Sequence, residues 1–271
     1  MLKLLVYVDT GRASQHAIEY IAPLTRDRDV EVTLLTAGRD PTAAADIFAR
    51  VAGKLFAPTI RHVHSDAAPD AALLAQAQRG TYDLAVFGPL RERWSRWLGG
   101  PSSSSLSAQL PISSLLVRDS SAQMHKVLLC AGGDATIVDD ARLTVRLARR
   151  TKAAATVLHV VSQVPVVFGT SSPDDDPTDV LAATGTPEIE HMNAAVRVLQ
   201  NGGVEAGLKV RVGLVVDEIV GELQEGGYDL LVIGAHRSQG VVERLLFEDV
   251  SKDLLGQSPV PVLVVKTVPK A

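Results

Sequence analysis

Short, uninterrupted apolar runs alternate along the chain with stretches whose apolar residues recur at helical spacing. Leu4–Val8 reads as a strand, and Ala13, Ala17, Ile18, Ile21 and Leu24 then mark one face of a helix. The alternation continues with a strand at Val30–Ala37, a short helix at Thr42–Val51, a more polar strand at Thr59–His64 and an alanine-rich helix at Ala67–Gln78. Strands at Leu84–Phe87 and Ser113–Val117 follow. Runs that are apolar throughout suit strands buried on both faces. Strand–helix–strand order joined by right-handed crossovers predicts an α/β fold, a parallel sheet with helices on both faces. The polar segment 119–125 reads as a linker, after which the pattern restarts. The second half offers strands at Lys126–Ala131, Thr156–Val161, Leu208–Val212, Leu230–Ile233 and Val262–Val265. Its helices are expected at Asp134–Arg149 and along the stripe Ile189, Met192, Val196 and Leu199.

The restart is literal. Tyr82-Asp83-Leu84-Ala85-Val86-Phe87-Gly88 returns as Tyr228-Asp229-Leu230-Leu231-Val232-Ile233-Gly234, which marks an internal duplication. The expected domains are 1–118 and 126–271. Each glycine stands where a buried parallel strand delivers a ligand-binding loop. Residues 162–184 have no counterpart in the first half. Their core, Pro173-Asp174-Asp175-Asp176-Pro177, is too polar and proline-broken for a core element and reads as a solvated, mobile loop. Consecutive carboxylates do not converge on a divalent ion without a defined turn.

Composition narrows the function. The 271 residues are 46% hydrophobic and 21% charged, as in a soluble globular protein, and a net charge of −4 gives no footprint for nucleic acid or an anionic membrane. The apolar runs are too short to span a bilayer. The opening residues carry no secretory pattern, so a cytoplasmic protein is expected. Cys130 lies in an apolar run and reads as inert core. His62 and His64 share one face of a strand, which makes them a possible metal pair. His159 reads as a core histidine and His236 as a ligand contact. No metal site, Ser-His-Asp order, zinc spacing or Walker-type signature is present.

Several ordered blocks resemble the universal stress protein family in a tandem two-domain form, over nearly the whole chain. They are Leu4–Thr10, Val215–Leu223 leading into Tyr228–Gly234, Arg244-Leu245-Leu246, Val250–Leu255 and Ser258–Val265. The resemblance implies two tandem open parallel sheets of five strands, each in the order 3-2-1-4-5, with a Rossmann-like topology; that order puts Thr59–His64 at a sheet edge, where His62 and His64 are expected as polar edge residues rather than a metal pair. It pairs the domains through Ser113–Val117 and Val262–Val265 as a pseudo-dimer, with a further homodimer open. It implies a non-catalytic stress-response or signalling module that takes ATP or another adenine nucleotide.

Family members that bind ATP carry a loop after the fourth strand of the form G-x-x-G, a spacer, then Gly followed by Ser or Thr. Glycines let backbone N–H groups reach phosphate, and the hydroxyl residue opens a helix whose N-terminus favours an anion. In the first half Gly88 is in place, Arg91 replaces the second glycine, Gly100 comes one residue early, and Pro101 precedes Ser102 and Ser103. Arg91, Arg93 and Arg96 either replace the missing amides by charge or form a solvated loop, with Trp94 and Trp97 on the domain surface or a partner. In the second half Gly234 is followed by Arg237, and Glu248-Asp249 replaces the Gly-Ser pair ahead of Ser251. Asp9, with Thr10 after it, matches the aspartate that lies near adenine, and can equally be a helix cap or turn residue. The second half has Ala131 there, then Gly132. The implied binding residues are thus Asp9, Thr10, Gly88, Arg91, Gly100, Ser102 and Ser103 in the first half, where a degenerate nucleotide site is expected, and Gly132, Gly234, Arg237 and Ser251 in the second, whose site is expected to be lost for ATP in its usual pose. The alternatives are an interaction protein that has lost its nucleotide and a nucleotide phosphohydrolase.

Overall fold

The computed structural model describes residues 1–90, 103–118, 123–161, 176–235 and 250–266. The strands are β1 (Leu2–Tyr7), β2 (Val30–Ala37), β3 (Thr59–Ser65), β4 (Leu84–Phe87) and β5 (Ser113–Leu116), then β6 (Lys126–Ala131), β7 (Ala154–Val161), β8 (Ala206–Val212), β9 (Leu230–Gly234) and β10 (Val262–Val265). They fall where the apolar runs place them, because a run buried on both faces has few other ways to leave water. β4, β5 and β10 are buried at every position, whereas β3 is nowhere fully buried.

The chain divides into two compact units, Met1–Gln123 with Val260–Ala271, and Met124–Pro259. In the first, β3, β2, β1, β4 and β5 lie side by side and parallel, and β10 runs antiparallel to β5 with Val262 opposite Leu116. In the second, β9, β6, β7 and β8 are parallel neighbours. The first unit thus keeps the expected 3-2-1-4-5 order, with β10 added at β5, and the second keeps the 3-2-1-4 part of it as β8-β7-β6-β9. Within the first unit β10 covers β5, whose row of N–H and C=O groups would otherwise lack partners.

The repeated aspartate has a structural task. Asp83 donates its backbone N–H to Lys3 O at 2.9 Å and accepts from Lys3 N at 2.8 Å through Oδ2. Asp229 does the same with Lys126, at 2.8 and 3.0 Å, and also accepts from His125 N at 2.9 Å. Each aspartate therefore ties the start of its half's first strand to the fourth. The C-terminal end of the polar 119–125 segment is fixed by this bond and by Met124, which is fully buried; residues 119–122 lie outside the described ones.

The loop expected at 162–184 is in part a helix, Pro177–Thr184. Asp176 caps it, accepting from Thr178 N at 2.7 Å, and Pro177 supplies a first helical residue with φ already set. Leu181 is buried, and the Thr178 hydroxyl accepts from Val210 N of β8 at 3.1 Å. Aspartate and proline, taken as loop markers, are here a helix start, as Asp40-Pro41 is for the helix Pro41–Ala52. Residues 162–175 lie outside the described ones.

Candidate functional site

In each half the strand order reverses between the first and fourth strands, β1 and β4 or β6 and β9. Ligands of open parallel sheets bind beyond the C-terminal ends of the strands at such a switch point.

In the first half this place is occupied by a turn. Asp9 Oδ1 accepts from Gly11 N and from the Ser14 hydroxyl, both at 2.7 Å, and Asp9 N donates to Ser14 Oγ at 3.0 Å. Asp9 thus opens the helix Arg12–Ile21, with Thr10 exposed beside it. A Cβ on Gly88 would lie 2.7 Å from Ala13 Cβ and 2.8 Å from its carbonyl carbon and oxygen, so the end of β4 touches the helix backbone itself. Gly88 is needed for that approach. Arg91, Gly100 and Ser102, with Arg93, Trp94, Arg96 and Trp97, lie outside the described residues, and Ser103 is described only as the start of the helix Ser103–Gln109.

In the second half the switch point holds a cavity of about 80 Å³. It is lined by the ends of β6 and β9 (Cys130, Ala131, Gly132, Ile233 and Gly234), by Asp134, Thr136, Ile137 and Asp140, by Val215 and Ile219, and by Val250, Ser251 and Leu254. Three expected residues, Gly132, Gly234 and Ser251, are thereby brought together; Arg237, His236 and Glu248-Asp249 lie outside the described residues. Sequence reasoning did not find Asp140, which faces inward from the first turn of the helix Ile137–Thr151. Val215 and Ile219, in the block Val215–Leu223 that carries the resemblance, lie four residues apart on the helix Val215–Gly226.

Cys130 lines the cavity, but burial, helped by the charge of Glu222, pushes its thiol well above the usual range. The raised value favours the thiol over the thiolate, although the side chain is part-exposed. The loop after β6 is held from behind. His159 Nδ1 donates to Ala131 O at 3.0 Å and His191 Nδ1 to Gly133 O at 3.2 Å, the carbonyls being able only to accept. Gly133 has φ 92°, in the left-handed region that favours glycine, and a Cβ there would meet Glu188 Cγ at 3.3 Å. Glu188 is held below the usual carboxylate range by hydrogen bonds from its own backbone N–H and Thr186, and by His159 and His191 nearby.

His62 and His64 share Thr36, whose hydroxyl lies 2.9 Å from His62 Nε2 and 3.0 Å from His64 Nδ1, and the Phe48 ring stacks on His62 at 4.7 Å. Among the described residues no group of three or more His, Cys, Asp or Glu is placed to hold a metal ion. Nor is any described helix long and apolar enough to cross a membrane.

A profile of the universal stress protein family matches residues 124–266. The chain belongs to this family. Among solved structures it is similar to a universal stress protein from Archaeoglobus fulgidus DSM 4304, at 16% identity and TM-score 0.68, over 98% of this chain and 97% of that one. It is also similar to a functionally unknown protein from Pseudomonas aeruginosa PAO1, at 17% identity and TM-score 0.62, over 97% and 92%. At these identities the likeness establishes the universal stress protein fold across both halves. No curated protein matches the chain.

Proposed function

We propose that this universal stress protein is a non-catalytic stress-response module in the cytoplasm, its two halves acting as an internal pair, that binds a small adenine-containing ligand. The observation that carries this reading is the cavity between the ends of β6 and β9, where an open parallel sheet offers its ligand site. Binding rather than turnover fits the groups around it. Cys130 is held as a thiol, and Asp134 is engaged in a turn, accepting from Thr136 N at 2.8 Å. In the first half Asp9 serves the turn before the helix Arg12–Ile21, and Gly88 the close contact with that helix.

Calorimetric titration of the full chain with ATP, ADP, AMP and adenosine tests the reading. Micromolar binding of any of them supports it, and silence from all four overturns it. Asp9→Ala reports whether the first half contributes. Steady phosphate release from ATP over a long incubation would replace the binding role with a phosphohydrolase.

A further inference from the structure

His62 and His64 lie away from the switch points, on the edge strand β3 of the first unit, and the fold places around them what the chain pattern could not show. Thr36 of β2 lies directly opposite His64 in the strand register. Two rings meet at its hydroxyl, which is 2.9 Å from His62 Nε2 and 3.0 Å from His64 Nδ1. Thr36 is buried, His64 half-buried and His62 exposed. The cluster therefore has a fixed base and a side open to solvent.

A hydroxyl carries one proton and donates it to only one of the two nitrogens, so the other ring must bring an N–H of its own. A cation in place of that ring proton takes both imidazole lone pairs and the hydroxyl oxygen at once. Both rings are already held for this. Phe48, on the helix Pro41–Ala52, stacks on His62 with 4.7 Å between ring centres and 12° between planes. On His64 the second nitrogen, Nε2, is buried and makes no hydrogen bond among the described residues. Asp66 Oδ1 lies 3.6 Å from it on an exposed side chain, so a small rotation lets the carboxylate accept from an N–H there. A carboxylate behind a ligating imidazole fixes its tautomer and raises its basicity.

Ligand type and spacing narrow the ion. Imidazole nitrogen suits copper, nickel and zinc, whereas magnesium and calcium take oxygen. With bonds of about 2.1 Å, neighbouring ligands stand roughly 3.0 Å apart around a square or octahedral ion and roughly 3.4 Å apart around a tetrahedral one. The separations of 2.9 and 3.0 Å match the first. No group of three His, Cys, Asp or Glu is placed for an ion among the described residues, so water completes the set.

We propose that His62, His64 and Thr36 bind a divalent ion of the copper and nickel type, with Asp66 orienting His64. The ligands come from two strands, so the ion ties the edge strand β3 to β2. This site is separate from the adenine-ligand reading and stands or falls without it.

Titration of the full chain with Cu²⁺ tests the assignment. One tight equivalent per chain is expected, with a paramagnetic resonance spectrum that shows two imidazole nitrogens. His62→Gln and His64→Gln should each lose that equivalent and its two-nitrogen signature, and Asp66→Asn should weaken it about tenfold. His62 is exposed, so its replacement leaves the fold in place, which the circular dichroism spectrum checks. A folded His62→Gln protein that binds Cu²⁺ as tightly as the parent overturns the proposal, and so does a parent chain that binds none.

Discussion

The Tyr228 hydroxyl donates to Glu222 Oε1 at 2.8 Å, six residues back along the chain. The first half has the same pair in neutral form, with Gln76 Nε2 donating to the Tyr82 hydroxyl at 2.8 Å. Beneath each ring lies a glycine: a Cβ on Gly80 or Gly226 would come within 2.1 Å of the ring's Cε2. The duplicated tyrosine is thus an anchor between the helix before the fourth strand and the turn that follows it. In the second half the anchor has gained charge. Glu222 is 1% exposed and also accepts from Lys209 Nζ at 2.6 Å and Arg211 at 2.9 Å, while Arg211 reaches Glu218 and Glu225 as well.

Without Glu222 the buried Tyr228 hydroxyl loses its acceptor, while Arg211 keeps Glu218 and Glu225 and Lys209 is 44% exposed. Glu222→Ala is expected to lower stability by about 2 kcal/mol, and Tyr228→Phe, which removes a single hydrogen bond to a charged group, by about 1.5 kcal/mol. Gly226→Ala should cost more than Gly80→Ala, because Tyr228 is buried and Tyr82 is only partly so. Urea unfolding of the four variants checks the order.

Glu222 also sets a pH dependence. Burial alone would raise its carboxyl, but the bonds from Lys209, Tyr228 and Arg211 outweigh it and hold the group below the ordinary 4.5. A carboxyl held lower in the folded state contributes stability that is fully present above its unfolded value and is lost as the pH falls through the folded one. The urea midpoint should therefore fall on acidification below about pH 4.5. Glu222→Gln should flatten that fall while being less stable at pH 7.

Gly88→Ala should be destabilising by about 2 kcal/mol through overpacking against Ala13. Since the added methyl also meets the Ala13 backbone, Ala13→Gly should restore only part of the loss. Thermal melts of the single and double variants decide this, and full rescue would locate the clash in the side chain alone.

His159 and His191 hold the carbonyls of Ala131 and Gly133 behind the cavity loop. His159→Phe should weaken ligand binding by about tenfold, the cost of one lost positioning hydrogen bond. His159→Asn, which retains a donor, should recover part of it. Calorimetry with adenosine reads the affinity, and an unchanged melting temperature separates positioning from collapse.

The fold was legible because its signal is burial. β4, β9 and β10 are unbroken apolar runs, and the Tyr-Asp repeat aligned the two halves before any coordinates. The helix Pro177–Thr184 was missed because eight residues with one buried leucine leave little periodicity, and its Asp-Pro start looks like a turn. At the site, Gly132, Gly234 and Ser251, singled out through the family resemblance, line one cavity because strand ends and a helix start meet there. Asp140 was hidden, since an aspartate in a helical first turn looks like an ordinary complement to the helix dipole until the fold shows which way it faces. His159 looked like core because strand burial says nothing about which loop a ring nitrogen will reach.

The strand β10 brings the last described residues of the chain back to the unit that begins at Met1. Lys266 completes the return, its backbone N–H reaching Ser113 Oγ at 3.1 Å and its ammonium reaching Ala108 O at 2.7 Å, at the end of the helix Ser103–Gln109. During synthesis the unit made first is therefore finished last. Until Val262–Val265 leaves the ribosome, β5 waits with an open edge, exposed to whatever strand reaches it first.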